Sequence, residues 1–145
     1  MQLHRELYKF APVEGGRWKN VDSEISETFP DGTRRTRFTP VLTFEKPAAM
    51  QALCDSLREG RQQEDIDPLI LTSLFVLDFL SIQPFNNGNG RMARLLTFLL
   101  LYQYGFEVGR YTSLEKIVES RKEDYYESLR LSSMRWHQNQ QDSFP

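Results

Sequence analysis

A glycine-rich segment at residues 83–94 holds the side chains whose types and spacing most clearly permit chemistry. Gly88 and Gly90 lie where an apolar helix is expected to begin, and Arg91 and Arg94 follow in its first turn. A helix N-terminus is already electropositive, so two cations one turn apart repel there unless an anion lies between them. Free backbone N–H groups beside glycines would complete a cradle for that anion. The spacing predicts a phosphate-binding site.

Two plainer structures compete with this interpretation. Residues 86–90 contain Asn-Gly, a strong signal for a tight β-hairpin, but the flanking segments are long and apolar rather than alternating. The second alternative is an ordinary helix connection with solvated arginines. Against it, the helix that bears them is apolar almost all round, and buried charges need partners. A Walker A site is excluded because no Gly-Lys-Ser/Thr sequence follows the glycines.

The segments before this loop predict a short helix and then a β-hairpin. Apolar residues recur over residues 3–10, which predicts a helix ending before Pro12, with His4 on its solvated side. Residues 25–29 and 34–38 predict two strands joined by a turn near Asp31-Gly32. This hairpin is expected to protrude from an otherwise α-helical domain.

The remaining elements are predicted to be helices with recognisable ends. Pro47 suits the first turn of a helix that has Gly60 at its C′ position. Asp67 and Pro68 suit the N-cap and first position of the next helix. That helix is apolar on most of its circumference and is therefore expected to be central.

After the loop, the second apolar helix should end just before Gly105. Ser113 should cap the following helix, and a last helix carries Tyr125, Leu129 and Met134. Tyr125 and its neighbour Tyr126 could stack on a purine, although aromatic residues at helical spacing more often belong to a core. The predicted fold class is mostly α, a helical bundle with one hairpin.

Composition places the whole chain, 1–145, in a single domain, with 39% hydrophobic and 26% charged residues. A net charge of −2 argues against nucleic-acid binding, which needs a basic excess. Cys54 is the only cysteine and is expected to be a buried apolar residue. The N-terminus lacks a signal-peptide pattern, and the apolar segments 69–82 and 91–104 are too short to span a membrane. We therefore expect a cytoplasmic location, and the polar end at 138–145 suggests further chain beyond it.

The segment at 83–94 resembles the hallmark of the Fic (filamentation-induced-by-cAMP) family, His-Pro-Phe-x-Asp/Glu-Gly-Asn-Gly-Arg-x-x-Arg. Seven motif positions match: Pro84, Phe85, Gly88, Asn89, Gly90, Arg91 and Arg94. The two that differ are Gln83 and Asn87. The resemblance extends from the hairpin through residues 121–126, so it covers most of the chain.

The resemblance implies a Fic-like helical bundle that transfers AMP from ATP to a protein hydroxyl, with Mg²⁺ on the phosphates. Gly88, Asn89 and Gly90 would form the anion hole, Arg91 would hold the pyrophosphate and Arg94 the γ-phosphate. The partner would be an unknown target protein that presents a Ser, Thr or Tyr hydroxyl. The hairpin at about 25–38 would be the family's flap, which binds the target as an added strand. Its docking residues would be Arg34, Arg35, Thr36, Arg37 and Phe38, although a solvated structural ribbon is an equal alternative.

Gln83 stands at the position of the family's catalytic histidine, and Asn87 at that of its acidic metal ligand. A glutamine amide cannot accept a proton near neutral pH, and asparagine offers Mg²⁺ an oxygen without a negative charge. We expect impaired transfer and weaker metal binding. Neither His4 nor His137 is expected to replace the base. Gln83 fits an engineered inactivation, a natural loss or altered chemistry, and the second departure at Asn87 favours natural divergence.

Two alternative functions stay open: a non-catalytic ATP-binding or protein-docking module, and transfer of another phosphate-linked group. The family's inhibitory motif, Ser/Thr-x-x-x-Glu-Gly/Asn, is absent. Residues 56–60 resemble it but are one residue short, and are interpreted as a helix end. An inhibitory glutamate would then have to come from a separate chain or from further sequence.

Overall fold

The computed structural model describes residues 1–107, 113–134 and 136. Within them, helices surround one central helix and a two-stranded hairpin lies beside them, which confirms the mostly α fold. The helices are α1 Gln2–Leu7, α2 Lys46–Gly60, α3 Pro68–Ile82, α4 Asn89–Gln103, α5 Leu114–Ser120 and α6 Lys122–Ser133. The strands are β1 Ile25–Thr28 and β2 Arg34–Phe38. In the described part of the chain, no helix combines the length and apolarity needed to cross a membrane.

Helix α3 is central because it packs against α2, α4 and α6. Its predicted start is confirmed: the Asp67 carboxylate accepts a hydrogen bond from the Leu69 N–H at 2.7 Å, and Pro68 follows the cap. Its outer face nevertheless stays uncovered, since Ile70 and Leu74 are more than half exposed. They line an apolar groove of about 510 Å³ between α3 and α6 that includes no residue of the motif loop.

The core lies between α3, α4 and the end of the hairpin. Its buried members are Phe38, Leu53, Phe75, Phe79, Ile82, Phe85, Met92, Ala93, Leu100 and Trp136. The motif residue Phe85 is among them, so the loop after α3 is anchored in the core rather than lying on its surface. Cys54, predicted to be buried, is only partly so.

Two glycines predicted to follow helices have different roles. Gly105 has a φ of 84° after α4, and the Phe106 N–H donates to the Leu101 carbonyl at 2.9 Å, which is a Schellman ending. The C′ prediction for Gly60 was wrong, because Gly60 is the last residue of α2. A Cβ at Gly60 would lie 2.7 Å from Leu71 Cδ1, so this glycine permits the close approach of α2 to α3.

The hairpin matches its predicted strands and turn. Ser26 pairs with Thr36 and Ile25 with Phe38, in an antiparallel register that shifts between Ile25 and Ser26. Gly32 adopts a φ of 80° at the tip, where an L side chain would be strained. Phe38 is buried against Trp136, with ring centroids 5.8 Å apart, so the base of the hairpin is fixed while most of β2 is exposed.

Candidate functional site

The point at which the motif loop leaves α3 is fixed by a buried lysine. Lys46 is 1% exposed, and its Nζ donates to the carbonyl oxygens of Ile82 at 2.7 Å and Val41 at 2.6 Å. A cation at helix C-terminal carbonyls is favourable because those carbonyls carry partial negative charge. Burial lowers the pKa of the Lys46 ammonium, and the nearby charge of Lys19 lowers it further. The start of the loop is therefore held from within the core.

Gln83 is the first residue of the loop and has a left-handed backbone. Its φ of 48° is the one positive φ at a non-glycine residue in the described chain. This conformation costs an L residue roughly 1–3 kcal/mol, and surrounding contacts must compensate. The Gln83 side chain accepts a hydrogen bond from Lys19, with Nζ 3.4 Å from Oε1. The position of the family's base is thus occupied by an amide in contact with an amine.

Phe85 and Asn89 together give the loop its shape. The Phe85 ring stacks on His4 at 3.7 Å between centroids and lies parallel to Trp18 at 6.1 Å. The Asn89 carboxamide bonds the backbone of Phe85 twice: its Oδ1 accepts from the N–H at 3.0 Å, and its Nδ2 donates to the carbonyl at 2.8 Å. The Asn89 side chain therefore closes the loop, which leaves its backbone N–H as the group that can face an anion.

His4 contradicts the prediction that it is solvated, because it is 1% exposed and lies under the motif loop. Its Nδ1 accepts from the Gly16 N–H at 2.8 Å, so the ring proton is on Nε2, which donates to the Asn87 carbonyl oxygen at 3.0 Å. Both ring nitrogens are used, so His4 positions the loop and is no substitute for the missing base. The sequence placed His4 wrongly because its partner is 83 residues away.

The N-terminal end of α4 is open to a ligand. Gly88 is the N-cap, and the first helical hydrogen bond runs from the Met92 N–H to its carbonyl at 2.9 Å. The N–H groups of Asn89, Gly90 and Arg91 therefore lack partners within the helix, and within the described chain no side chain caps them. The helix dipole adds positive potential at the same place. This end of α4 can hold an anion.

The two arginines differ in their surroundings. Helix α4 begins at Asn89, so Arg91 is in its first turn and Arg94 one turn later, a correction to the predicted position of Arg94. Arg91 is exposed, whereas the Arg94 side chain is 24% exposed. Arg94 Nε is buried without a hydrogen bond and forms a long ion pair with the Glu115 carboxylate, 3.9 Å away. A buried, unbonded N–H on a cation calls for an anionic acceptor.

Asn87 offers a metal only an amide oxygen. Its backbone carbonyl is bound by His4, while its side chain is exposed. Across the described residues, no group of three or more His, Cys, Asp or Glu side chains could hold a metal ion. With only the Asn87 amide oxygen as a ligand, this loop suits a cation that is bound mainly by the phosphates of a ligand better than a metal ion held by the protein alone.

The predicted docking residues of the hairpin do not share one environment. Arg34 donates to Ser26, and the Thr36 hydroxyl donates to Glu24, each at 2.6 Å. Arg35 lies over the Phe29 ring, and buried Phe38 belongs to the core rather than to the exposed surface. Arg37 lines a cavity of about 280 Å³ between hairpin, α3 and α6, and Gln83 lines it as well. The hairpin therefore borders the first residue of the motif.

Sequence reasoning did not assign Tyr8, Lys19 or Lys46 to the site. Tyr8 is buried, and a Cβ added at Gly88 would lie 2.1 Å from its hydroxyl oxygen. The adjacent glycines Gly15 and Gly16 are the one local signal in this segment: Gly16 has a φ of 78°, and Gly15 packs against His4 and Tyr8. His137 and residues 138–145, for which predictions were made, lie outside the described residues.

The fold and loop define a helical domain in which a glycine-rich turn between two apolar helices lies beside a hairpin. A model of the Fic/DOC family matches residues 1–101, and the chain belongs to that family.

Named relatives and a solved structure agree with this assignment. A Fido domain-containing protein of Dictyostelium discoideum is 31% identical over 110 residues, which are 76% of this chain and 70% of that protein. A protein adenylyltransferase of Caenorhabditis elegans is 29% identical over 92% of this chain, which spans only 23% of that protein. The crystal structure of a Fic family protein from Desulfovibrio desulfuricans aligns with a TM-score of 0.70 and 27% identity, over 90% of this chain and 37% of that one.

Proposed function

We propose that this domain binds ATP at the motif loop and transfers its AMP part to a protein hydroxyl, at a rate reduced by Gln83. The observation that carries the proposal is the uncapped N-terminus of α4, with the buried, unbonded Nε of Arg94 beside it. Membership of the Fic/DOC family and a relative named as a protein adenylyltransferase support the same reaction.

The loop supplies positioning and charge neutralisation, which is most of what such a transfer requires. The backbone N–H groups of Asn89, Gly90 and Arg91 would hold phosphate oxygens, with Gly88 shaping the turn. The exposed Arg91 guanidinium would pair with the departing pyrophosphate, and the deeper Arg94 with the γ-phosphate.

A Mg²⁺ ion fits this site as a companion of ATP. When bound, it would neutralise phosphate charge. Asn87 would contribute its amide oxygen, a weaker ligand than a carboxylate for a hard cation. The hairpin would hold the target segment as an added strand, next to the cavity that Arg37 and Gln83 line.

Gln83 limits the reaction because its amide does not accept a proton near neutral pH. General-base catalysis contributes about 10²–10⁴-fold, so its loss raises the barrier by about 3–5 kcal/mol. The prediction is that Gln83→His raises the rate of AMP transfer by about 100-fold or more. Transfer of label from ATP labelled on its α-phosphate, to this chain or to pooled soluble cell proteins, measures it.

Two controls sharpen this measurement. Arg94→Ala in the Gln83→His background should abolish labelling because the γ-phosphate loses its partner, while Arg58→Ala, an exposed arginine of α2, should leave it unchanged. The proposal fails if neither Gln83→His nor the Gln83→His, Asn87→Asp double variant labels any protein although both are folded.

A non-catalytic nucleotide-binding module is the second candidate, favoured by the loss of both the base and the acidic metal ligand at Gln83 and Asn87. It predicts thermal stabilisation by ATP without turnover, even after Gln83→His. Stabilisation that is unchanged by Arg94→Ala would contradict the phosphate site shared by both candidates.

A further inference from the structure

Lys19 is brought to the first position of the motif by two contacts. Its backbone N–H donates to the Pro84 carbonyl oxygen at 2.8 Å, which ties this segment to the loop. Its Nζ lies 3.4 Å from Gln83 Oε1, across 64 residues of sequence. The amine is therefore next to the side chain that replaces the family's proton acceptor.

The same amine already meets a hydroxyl. Lys19 Nζ lies 2.5 Å from Ser23 Oγ, in the segment that leads into β1. In this contact the Lys19 ammonium donates to the Ser23 hydroxyl oxygen, so a hydroxyl lies at hydrogen-bond distance from the nitrogen. The hydroxyl of a target would have to take the place of Ser23 at this nitrogen.

The partial burial of Lys19 makes its ammonium easier to deprotonate than in bulk water. Partial burial lowers the pKa of Lys19, while the nearby carboxylate of Asp22 raises it. Asp22 also accepts a hydrogen bond from the Thr43 N–H at 2.7 Å. Lys46 is a second cation near Lys19, and its ammonium is held by the carbonyl oxygens of Val41 and Ile82. A neutral lysine is an effective general base.

We propose that Lys19 is the proton acceptor of this site, in place of the histidine that Gln83 replaces. This inference rests on the proposed AMP transfer. In its deprotonated form, Nζ takes the proton of the attacking hydroxyl while the hydroxyl oxygen bonds the α-phosphorus of ATP. The bond from that phosphorus to the oxygen bridging to the β-phosphorus breaks, and pyrophosphate leaves with its electron pair. Gln83 Oε1 accepts a hydrogen bond from the resulting ammonium, which then loses its proton to water.

His4 and Lys46, two other candidate bases that contact the motif loop or its start, bind other groups. The Nδ1 of His4 accepts from Gly16, and its Nε2 carries the proton bound by Asn87. The ammonium of Lys46 is held by the carbonyl oxygens of Val41 and Ile82. Lys19 alone among these three has its nitrogen beside a hydroxyl and the Gln83 amide.

The test measures transfer of label from α-phosphate-labelled ATP with Mg²⁺ to this chain and to pooled soluble cell proteins. It compares the wild type with Lys19→Met, Lys19→Arg, Gln83→His and the Lys19→Met, Gln83→His double variant. Both single Lys19 variants should lose about tenfold or more of the wild-type rate, because a partly protonated lysine supplies part of the contribution of a general base and neither replacement accepts a proton near neutral pH. The double variant should keep the activity of Gln83→His, which separates loss of a base from damage to the fold. The exposed Lys9→Met is the matched control and should not change the rate.

The pH profile is the second readout. The wild-type rate should increase with pH above neutrality as the amine loses its proton, whereas Gln83→His should level off near the histidine pKa of about 6.5. If Lys19→Met transfers label as fast as the wild type, Lys19 is not the proton acceptor. The same holds if Gln83→His transfers label and the wild type does not. Either result leaves the proposed function standing. Absence of transfer from both the wild type and Gln83→His overturns the proposed function and the role of Lys19 with it.

Discussion

Gly88 and Gly90 are both motif residues, but the structure requires only the first of them. Gly88 has a φ of 77°, and a Cβ there would lie 2.1 Å from the Tyr8 hydroxyl oxygen. Gly90 has an ordinary helical backbone, and the nearest atom to an added Cβ would be Arg94 Nη1 at 3.7 Å. Packing does not explain the missing side chain at Gly90. Close approach of the proposed ATP phosphates to the backbone would explain it.

Alanine at these two positions should therefore have opposite effects. Gly90→Ala should keep or raise the free energy of unfolding, by about 0.5–1 kcal/mol, because alanine favours a helix. It should weaken ATP binding about tenfold, or about 1.4 kcal/mol, since its methyl group takes the place of a phosphate oxygen beside Arg94. Gly88→Ala should instead destabilise the fold by roughly 1–3 kcal/mol through strain and overpacking. Urea unfolding and ATP titration measure both, and unchanged ATP binding in Gly90→Ala would argue against the phosphate site.

At the scale of elements, α3 carries the site because two contacts hold its C-terminal part. Lys46 fixes its C-terminal carbonyls, and the Trp136 indole N–H donates to the Asp78 carboxylate at 2.7 Å. Burial raises the pKa of Asp78, and the hydrogen bond from Trp136 opposes this shift only in part. The native state therefore favours protonated Asp78 more than the unfolded chain does.

The sign of this shift gives a pH prediction. The contribution of Asp78 to the free energy of unfolding is fully present below about pH 4, the pKa of Asp78 in the unfolded chain. It is lost as the pH rises through the higher pKa that Asp78 has in the folded protein. Asp78→Asn keeps an oxygen for Trp136 without the buried charge, so it should gain stability over the wild type at neutral pH and little near pH 4. Urea unfolding at the two pH values measures the difference, with exposed Asp65→Asn as a control that should show none. An equal effect of Asp78→Asn at both pH values would refute this assignment.

Local signals in the sequence predict several elements correctly. Asp67-Pro68 and Ser113 start their helices, and Gly105 ends α4, because each depends on the backbone within a few residues. Gly60 was misplaced because its reason lies in Leu71 of another helix. In the site, the motif glycines and arginines follow from spacing. Lys19 and His4 do not, since their positions depend on contacts 64 and 83 residues away.

At the scale of the whole molecule, the first twenty residues form a strap over the motif loop. His4 binds the Asn87 carbonyl, Tyr8 lies against Gly88, and the Lys19 N–H binds the Pro84 carbonyl. The strap therefore contacts the loop at three of its residues. The geometry of the anion site therefore depends on residues from both ends of the family-matched region, 1–101.

His4→Ala tests whether this strap organises the site. The change leaves the Gly16 N–H and the Asn87 carbonyl oxygen without their partner and removes the ring stacked on Phe85. It should lower the free energy of unfolding by about 1–3 kcal/mol, since buried polar groups become unsatisfied. ATP should then stabilise the variant less than the wild type, because the N–H groups of the loop are no longer held in place. Urea unfolding with and without ATP measures both effects, and Phe10→Ala, at a 95% exposed residue of the same segment, should change neither. If the variant unfolds like the wild type, the contacts of α1 with the loop do not stabilise the fold. If it loses stability but responds to ATP like the wild type, α1 supports the fold without shaping the site.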